Sequence, residues 1–469
     1  MIASYINISL CNSIPIILHI NVEKWCTMAK AKGEIQLEAQ EVIPSARRLI
    51  KSLRDIGYEF SSAVADVVDN SIEWGESTRI YIDVAFDGDE SWVRIVDVGR
   101  GMNRANLMEA MRYGSSREYK EDSLGKFGLG LKTASLSQCR FLAVASRQEG
   151  KSEINAYCWD MDHIEKTDRW EILPLKSEPL KSLAYEMLED SPGTVVLWKR
   201  LDRLLGYKHP YGPAARKELA SMSRELENHL AMVFHRFLVG TGPNKKKIVI
   251  SINGNKIEPW DPFATKEENT IKPDATKLLI EHEGKKGEIF IQPYILPHQK
   301  EFSSAEEFRR AAGPKGWNEQ QGFYIYRAGR LIQSGGWCGL RKPDEHTKLA
   351  RIVLSFPPEL DEAFKINIAK MHVNLPVAYR DEIDKMIQPI VKRAREVYDR
   401  EERGSTLTAA QQTGPHGNIA ADASAKTGGG IAGQQSWTLD EIEEKLMSFA
   451  EGHEIPVLKR VFARLRRKI

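Results

Sequence analysis

Apolar residues recur at helical spacing in two early segments of the chain, residues 43–56 and residues 60–74. In the second segment Val64, Val68 and Ile72 fall on one face. Positions three and four apart share a face of an α-helix, so both segments are predicted to be helices that bury one side. The polar residues of the second segment fall between these apolar positions and carry the candidate chemistry.

After these helices, the apolar residues recur at every second position. Apolar and polar positions alternate over residues 79–86 and again over residues 92–96, with Asp87 and Gly88 between them. Alternation interrupted by an Asp-Gly pair predicts a β-hairpin. A further strand is predicted at residues 194–198, so the order is helix, hairpin, glycine-rich loop, helix and strand.

The second half of the chain repeats these patterns less regularly. A helix is predicted at residues 215–238, two short strands at 245–257 around an Asn-Gly turn, and a long charged helix at 380–402. A domain boundary is predicted between residues 203 and 215. These patterns predict a first domain over residues 43–205 and a second over residues 206–403.

The two ends of the chain differ from this globular pattern. Residues 1–42 are predicted to be a flexible leader, with Met28 as a possible natural start. Residues 404–436 are rich in small and polar residues, and such a composition predicts a flexible linker. Residues 437–469 are predicted to form a helical, basic tail that could contact nucleic-acid phosphates. A solvated amphipathic helix and a helix that docks onto a partner are the alternatives.

Composition excludes several classes of protein. The 469 residues carry a net charge of only +2, so any basic surface must be local. The five cysteines are scattered without CxxC spacing, so we expect neither a disulfide framework nor a zinc site, and a reducing cytoplasm fits. No apolar run approaches the roughly 20 residues that a membrane span needs, so we expect no membrane association.

Three polar residues of the second predicted helix point to metal and acid–base chemistry. Asp66, Asp69 and Asn70 lie three and four apart, so they share one face. An amide oxygen together with phosphate oxygens suits Mg²⁺, and a neighbouring carboxylate can orient a water molecule for attack. A solvated polar face is the alternative interpretation.

A second motif follows the predicted hairpin. Asp97, Gly99, Gly101 and Met102 belong to the sequence Asp-Val-Gly-Arg-Gly-Met. A carboxylate at a strand end can accept a hydrogen bond from the amino group of a base, and glycines allow the backbone to approach that base. A plain turn explains the pattern equally well.

The third motif is a glycine-rich loop before a predicted helix at 134–139. Glycines at such a place let several backbone N–H groups point at a phosphate. The loop is not a Walker A motif, because Leu131 separates Gly130 from the next lysine. The polar stretch 113–123 before it has the composition of a mobile lid. The candidate phosphate ligands are Gly125, Lys126, Phe127, Gly128, Leu129, Gly130 and Lys132.

These three motifs, in this order and followed by the sequence Ser-Pro-Gly-Thr-Val-Val at residues 191–196, resemble the ATPase fold shared by gyrase B, Hsp90, histidine kinases and MutL, the GHKL superfamily. The resemblance implies an α/β sandwich that binds ATP with Mg²⁺ between helices and a mixed sheet. It also implies roles: Asn70 for Mg²⁺, Asp97 for the adenine amino group, and the glycine-rich loop for the phosphates. Gly99, Gly101 and Met102 would line the base, and Gly193 with Thr194 would close the adenine side.

Asp66 departs from the family pattern, because the hydrolytic members carry Glu at this position. One methylene fewer retracts the carboxylate by about 1.5 Å, and a misplacement near 1 Å can cost on the order of 10²-fold in rate. Three interpretations remain: the helix lies closer to the phosphates, turnover is slow, or the chain binds nucleotide with little hydrolysis. The first two are favoured because Asp can still accept a proton.

The second domain resembles the transducer domain, an α+β unit that follows the ATPase module in gyrase B, MutL and MORC proteins. The resemblance rests on residues 247–263, 322–332 and 364–376. A transducer lysine that reaches the terminal phosphate is implied; Lys370 is the first candidate and Lys365 the second. The ungapped segment around Asp66 looks most like the bacterial relatives of MORC ATPases.

The resemblance implies an ATP hydrolase that acts as an ATP-gated clamp. ATP would favour a closed homodimer, and hydrolysis would release it. Duplex DNA and defence, restriction–modification or repair proteins are the implied partners. Two alternatives remain, an Hsp90-like chaperone ATPase and a DNA-binding protein that senses ATP without hydrolysing it. A sensor kinase is not favoured, because His19 is the only histidine before Asp66 and lies outside any predicted helix hairpin.

Overall fold

The structure is a computed structural model that describes residues 42–55, 57–114, 130–206, 209–243, 245–366, 373–411 and 462, with residues 401–411 described by their backbone. The chain divides into a compact unit that ends at Leu407 and a second unit that begins at Thr408. Both sheets described below belong to the first unit. None of the helices in the described ranges is both long and apolar enough to cross a membrane.

The elements alternate between helices and short strands through most of the chain. The helices are α1 (Ala46–Arg54), α2 (Phe60–Glu73), α3 (Arg104–Met111), α4 (Gly130–Leu136), α5 (Met161–Thr167), α6 (Glu178–Asp190), α7 (Pro213–Val233), α8 (His235–Val239), α9 (Ala305–Ala312), α10 (Gly316–Gln320) and α11 (Arg380–Gln411). The strands are β1 (Arg79–Ala85), β2 (Trp92–Val98), β3 (Phe141–Arg147), β4 (Ile154–Asp160), β5 (Leu173–Pro174), β6 (Gly193–Lys199), β7 (Val249–Ile252), β8 (Asn255–Lys256), β9 (Thr276–His282), β10 (Lys285–Ile295), β11 (Gly322–Arg327), β12 (Arg330–Ser334) and β13 (Ala350–Phe356).

The first sheet has the strand order β5-β4-β3-β6-β2-β1-β7-β8. Its neighbours run antiparallel except β1 and β7, which are parallel. The predicted hairpin of β1 and β2 is confirmed, with Arg79 opposite Val98 and Ala85 opposite Trp92. The turn between them is a short 3₁₀ helix at Gly88–Glu90 and not a two-residue Asp-Gly turn.

The predicted domain boundary near residue 206 does not separate the two sheets. The β7–β8 hairpin, which we had placed in the second domain, extends the first sheet through the parallel pairing of β1 with β7. Helix α7 also packs against α2. The reason is the apolar content of β7, since Ile250 and Ile252 are buried in the core of the first sheet and need its helical layer to cover them.

Both faces of the first sheet are covered, because successive residues of a strand point to opposite sides. In β3, Leu142 and Val144 join the large core beneath α2, α4 and α7, whereas Ala143 and Ala145 join the smaller core beneath α6. Helix α2 is the centre of the large core. It is buried around most of its circumference, since α4 and α7 pack against it in addition to the sheet.

The second sheet has the order β12-β11-β13-β10-β9, with β11 and β13 parallel. Its core includes residues of α11, among them Ile383 and Ile387. Helix α11 runs to Gln411, past the predicted end at residue 402 and into the first residues of the predicted linker. The fold class predicted from the sequence, an α/β sandwich followed by a further α+β domain, is confirmed.

Candidate functional site

The polar face of α2 is buried and not solvated. Asp66 is 3% exposed and Asp69 is 1% exposed, so both carboxylates require partners inside the protein. Tyr58, which precedes the helix, donates a hydrogen bond from its hydroxyl to Oδ2 of Asp66 over 2.9 Å. Burial, followed by the nearby Asp66 charge, raises the pKa of Tyr58, so its hydroxyl remains a donor.

Asn70 lies one turn further along α2 and is half-buried. Its side-chain nitrogen donates a hydrogen bond to the backbone carbonyl of Asp66 over 2.8 Å. This bond fixes the orientation of the amide and leaves the side-chain oxygen as the atom that can face a ligand. An amide oxygen held in this way is a suitable ligand for Mg²⁺.

A basic residue of the second sheet reaches the same face of α2. Arg330, the first residue of β12, is 4% exposed, and its Nε lies 2.9 Å from Oδ2 of Asp69. Its terminal Nη2 lies 3.6 Å from Oδ1 of Asp66. The guanidinium therefore spans both carboxylates. Burial, and then the positive charge of Arg330, lower the pKa of His229 on α7 to about 4, so this histidine adds no charge to the cluster at neutral pH.

The second motif places Asp97 in the middle of the sheet, near the end of β2. Burial raises the pKa of Asp97 to about 7, although interactions with the Ser71 side chain and the Thr194 backbone oppose the rise. Among the described residues, Oδ1 of Asp97 has no hydrogen-bond partner. A buried acceptor without a donor is costly, and a ligand amino group would satisfy it.

The glycines next to Asp97 are needed because the protein's own backbone segments approach each other closely. A Cβ at Gly99 would lie 2.2 Å from the carbonyl oxygen of Gly75, and one at Gly101 would lie 1.8 Å from that of Arg147. A Cβ at Gly193 would lie 2.0 Å from the carbonyl oxygen of Asp97. Our sequence interpretation gave the first two glycines a different purpose, the approach of a base, and the structure adds this packing constraint.

A serine that the sequence analysis did not single out joins the two sides of this region. Ser146, on β3, accepts a hydrogen bond from the backbone N–H of Met102 over 2.8 Å. It donates to the carbonyl oxygen of Gly193 over 2.8 Å, and its hydroxyl lies 3.0 Å from that of Thr194. Met102 and Thr194, far apart in the chain, are thus connected through one side chain.

The end of the glycine-rich loop meets the polar face of α2. A Cβ built on Gly130 would lie 3.7 Å from Oδ2 of Asp66, so the first residue of α4 lies against this carboxylate. Helix α4 begins at Gly130, earlier than the predicted 134. Gly125, Lys126, Phe127, Gly128 and Leu129, and most of the predicted lid, lie outside the described residues.

The side chain of Lys132 reaches the end of α3. Its ammonium is buried and donates to the carbonyl oxygen of Ala110 over 3.1 Å, and it lies 6.0 Å from the ring centre of Tyr113. Burial lowers its pKa to about 8, against the opposing effect of Glu109. Lys132 therefore holds the chain just before the predicted lid, and a direct contact with phosphate stays a prediction.

The lysines proposed for the terminal phosphate are not brought to this site by the described residues. Lys370 lies outside the described residues, and Lys365 is exposed on the surface. Arg330 is instead the basic residue of the second sheet that contacts the polar face of α2. The sequence offered one signal for it, since Arg330 lies within residues 322–332, one of the segments on which the resemblance to transducer domains rests. Nothing in the local pattern around Tyr58 or Ser146 marked either residue.

A search of curated proteins finds no significant match. Residues 58–194 match the model of a family described as histidine kinase-, DNA gyrase B- and HSP90-like ATPases. The matched region begins at Tyr58 and ends at Thr194, so it contains α2, the Asp97 motif, the glycine-rich loop and the end of the adenine side. The match supports the assignment of this part of the chain to the GHKL superfamily, and with it ATP binding.

Proposed function

We propose that this protein hydrolyses ATP with Mg²⁺, that Asp66 orients the attacking water and that Asn70 holds the metal together with the phosphates. The observation that carries the proposal is the placement of Asp66 and Asn70 on one buried helix within the region that matches the ATPase family. Asp66 has the chemistry of a base, and the Asn70 amide is already oriented by its own helix. When bound, Mg²⁺ would neutralise phosphate charge.

The adenine end of the proposed site is supported by Asp97. Its buried Oδ1, which has no hydrogen-bond partner in the described ranges, would accept from the adenine amino group. Met102 and Thr194 lie on either side of Ser146 and would form the walls. The glycine-rich loop, from Gly125 to Gly130, would supply backbone N–H groups to the phosphates, and Lys132 would fix the base of a lid.

We further propose that the protein acts as an ATP-gated homodimeric clamp in DNA-related processes such as defence or repair. The support is the resemblance of its second domain to transducer domains and of the α2 segment to bacterial MORC relatives. The buried contact between Arg330 and α2 adds a physical link, because a movement of α2 on nucleotide binding or hydrolysis would also move Arg330 and the second sheet. Lys370 remains our candidate for the terminal phosphate.

Steady-state phosphate release tests the proposal directly. We expect the purified protein to release phosphate from Mg-ATP, with stimulation by duplex DNA and loss of the signal when EDTA removes the metal. The protein carrying Asp66→Asn is the blank. Release that duplex DNA does not change, but that an unfolded client protein stimulates, would overturn the DNA assignment in favour of a chaperone.

The dimeric part of the proposal has its own readout. Sedimentation should show a dimer when the Asp66→Asn protein is given Mg-ATP, because bound nucleotide cannot be turned over and the closed state accumulates. The same protein without nucleotide should sediment as the monomer. A mass that is identical with and without Mg-ATP would exclude nucleotide-driven dimerisation.

The pKa of Asp97 gives a prediction for the pH dependence of binding. The adenine amino group donates to the ionised carboxylate of Asp97. The pKa of this carboxyl group in the folded protein is about 7, so at a lower pH Asp97 must first lose its proton before adenine binds. The affinity for ATP should therefore rise from pH 5.5 to about 7.5 and then level off, with about tenfold weaker binding for each pH unit below the pKa. Fluorescence titration with adenosine checks this without interference from phosphate titration. A flat profile for adenosine would contradict the role of Asp97.

A further inference from the structure

The side chain of Arg330 neither packs within its own sheet nor extends into solvent, but is buried against α2. Arg330 follows the β11–β12 turn, in which Ala328 and Gly329 both have positive φ angles of 45° and 80°. The turn places its guanidinium against α2, where it is 4% exposed and packs 5.9 Å from the ring centre of Phe234. A buried cation is stabilised only by well-placed partners, and here these are Asp69 and Asp66.

We infer that Arg330 is a positioning residue for Asp66 and that it makes hydrolysis depend on the second sheet. This inference rests on the proposed function, in which Asp66 orients the attacking water. Oδ1 of Asp66 faces Arg330 at 3.6 Å, and Oδ2 accepts from Tyr58 at 2.9 Å. Each oxygen thus has its own neighbour: a hydrogen-bond donor next to α2 for Oδ2, and a positive charge from the second sheet for Oδ1.

Asp69 gives this arrangement its geometry. Nε of Arg330 lies 2.9 Å from Oδ2 of Asp69, which is one turn away from Asp66 on the same helix. The contact at Nε is an ion pair and not a hydrogen bond, and the planar guanidinium, with Nε beside Asp69, places Nη2 beside Asp66. A lysine offers a single flexible point charge and cannot reproduce two contacts with fixed relative directions. We therefore expect position 330 to require an arginine, because the positive charge of a lysine alone would not maintain both contacts.

The short side chain of Asp66 makes this support important. An aspartate has one torsion fewer than a glutamate with which to reach its water, so its aim depends on the groups that hold it. A misplacement near 1 Å reduces a rate on the order of 10²-fold. Arg330 and Tyr58 supply the constraint that the missing methylene makes necessary.

The hairpin that carries Arg330 is itself anchored in the second sheet. Arg327, three residues before it, forms a buried two-pronged pair with Asp361, with contacts of 2.7 Å and 2.8 Å. Strand β11 lies between β12 and β13, so the hairpin cannot shift without disturbing the sheet. Asp361 opens the segment that leads toward Lys370 in the sequence. A movement of the second sheet is thereby transmitted to Asp66 through Arg330.

The test compares conservative variants in the full-length protein. We expect Arg330→Lys to lower kcat at least tenfold while the Kd for Mg-ATP, measured directly, changes less than threefold. Asp69→Asn should lower kcat similarly, and the double variant should be no worse than either single one, because all three break the same arrangement. Arg351→Lys is the matched control. It changes an equally buried arginine of the same sheet, which bonds carbonyl oxygens of Pro262 and Ala311 and lies outside the proposed site.

Each outcome decides the inference. If Arg330→Lys does not fold, the pair Arg330→Met with Asp69→Asn, which removes one charge of each sign, is measured instead with the same expectation. A kcat within twofold of the wild type, a loss confined to Kd, or an equal loss in Arg351→Lys would overturn it while leaving the proposed function intact. Absence of turnover in the wild-type protein would overturn both.

Discussion

Asp66→Asn should reduce steady-state phosphate release by about 10²-fold to 10⁴-fold, the usual contribution of a general base. Asparagine has nearly the same size and keeps one oxygen, which can still accept the hydrogen bond from Tyr58, while Arg330 keeps its contact with Asp69, so the helix should keep its position. It cannot accept a proton from water. ATP binding, measured by fluorescence titration, should therefore change by no more than a few-fold.

The contrasting variant is Asn70→Ala. It removes the oxygen proposed for Mg²⁺ and should abolish Mg-dependent binding, so that phosphate release is lost for a different reason. Together, the two variants distinguish a loss of the chemical step, in Asp66→Asn, from a loss of Mg-ATP binding, in Asn70→Ala. Turnover that is unchanged in Asp66→Asn would exclude Asp66 as the base and would require another residue to orient the water.

The contacts of Asp66 bear on its departure from the glutamate of the hydrolytic family members. The carboxylate is enclosed by Tyr58, Arg330 and the first residue of α4, Gly130. A close approach of α4 to α2 brings the end of the glycine-rich loop near the shorter side chain. This favours the interpretation in which the helix lies nearer to the phosphates, and Asp66 keeps the role proposed for it.

Local patterns predicted the elements that carry the site. Helix α2 was predicted at residues 60–74 and observed at Phe60–Glu73, because its apolar period matches the helix repeat. Strand β6, predicted at 194–198, is observed at Gly193–Lys199 for the same kind of reason. The ATPase-like site was proposed from the order of four motifs and their resemblance to a family, and the elements that carry Asp66, Asn70 and Asp97 could be predicted because they form locally.

Contacts between distant parts of the chain could not be predicted in this way. The parallel pairing of β7 with β1 joins residues about 170 positions apart, and a short apolar strand does not specify its partner. Arg330 reaches α2 only because the β11–β12 turn aims it there, and an arginine after a turn looks like a solvated residue in the sequence. The close backbone approach at Gly101 involves Arg147, which no local motif connects with it.

Gly101→Ala should destabilise the protein by about 2–5 kcal/mol. The φ angle of Gly101 is +59°, a left-handed value that costs about 1–2 kcal/mol for a residue with a Cβ. The added Cβ would also lie 1.8 Å from the carbonyl oxygen of Arg147 and 3.0 Å from that of Gly193, so these segments must move, at a further cost of about 1–3 kcal/mol. Urea denaturation measures the free energy of unfolding.

Gly150→Ala is the matched control for this change. Gly150 has a similar φ angle of +73°, but no atom of the described residues lies within 4 Å of its added Cβ. It should therefore show only the conformational cost, about 1–2 kcal/mol, with unchanged ATP affinity. Gly101→Ala should also weaken ATP binding, because the displaced segments hold Asp97, Met102 and Thr194. Equal destabilisation in the two variants would mean that the backbone at Gly101 relaxes freely, and the proposed adenine pocket would then not depend on this close approach.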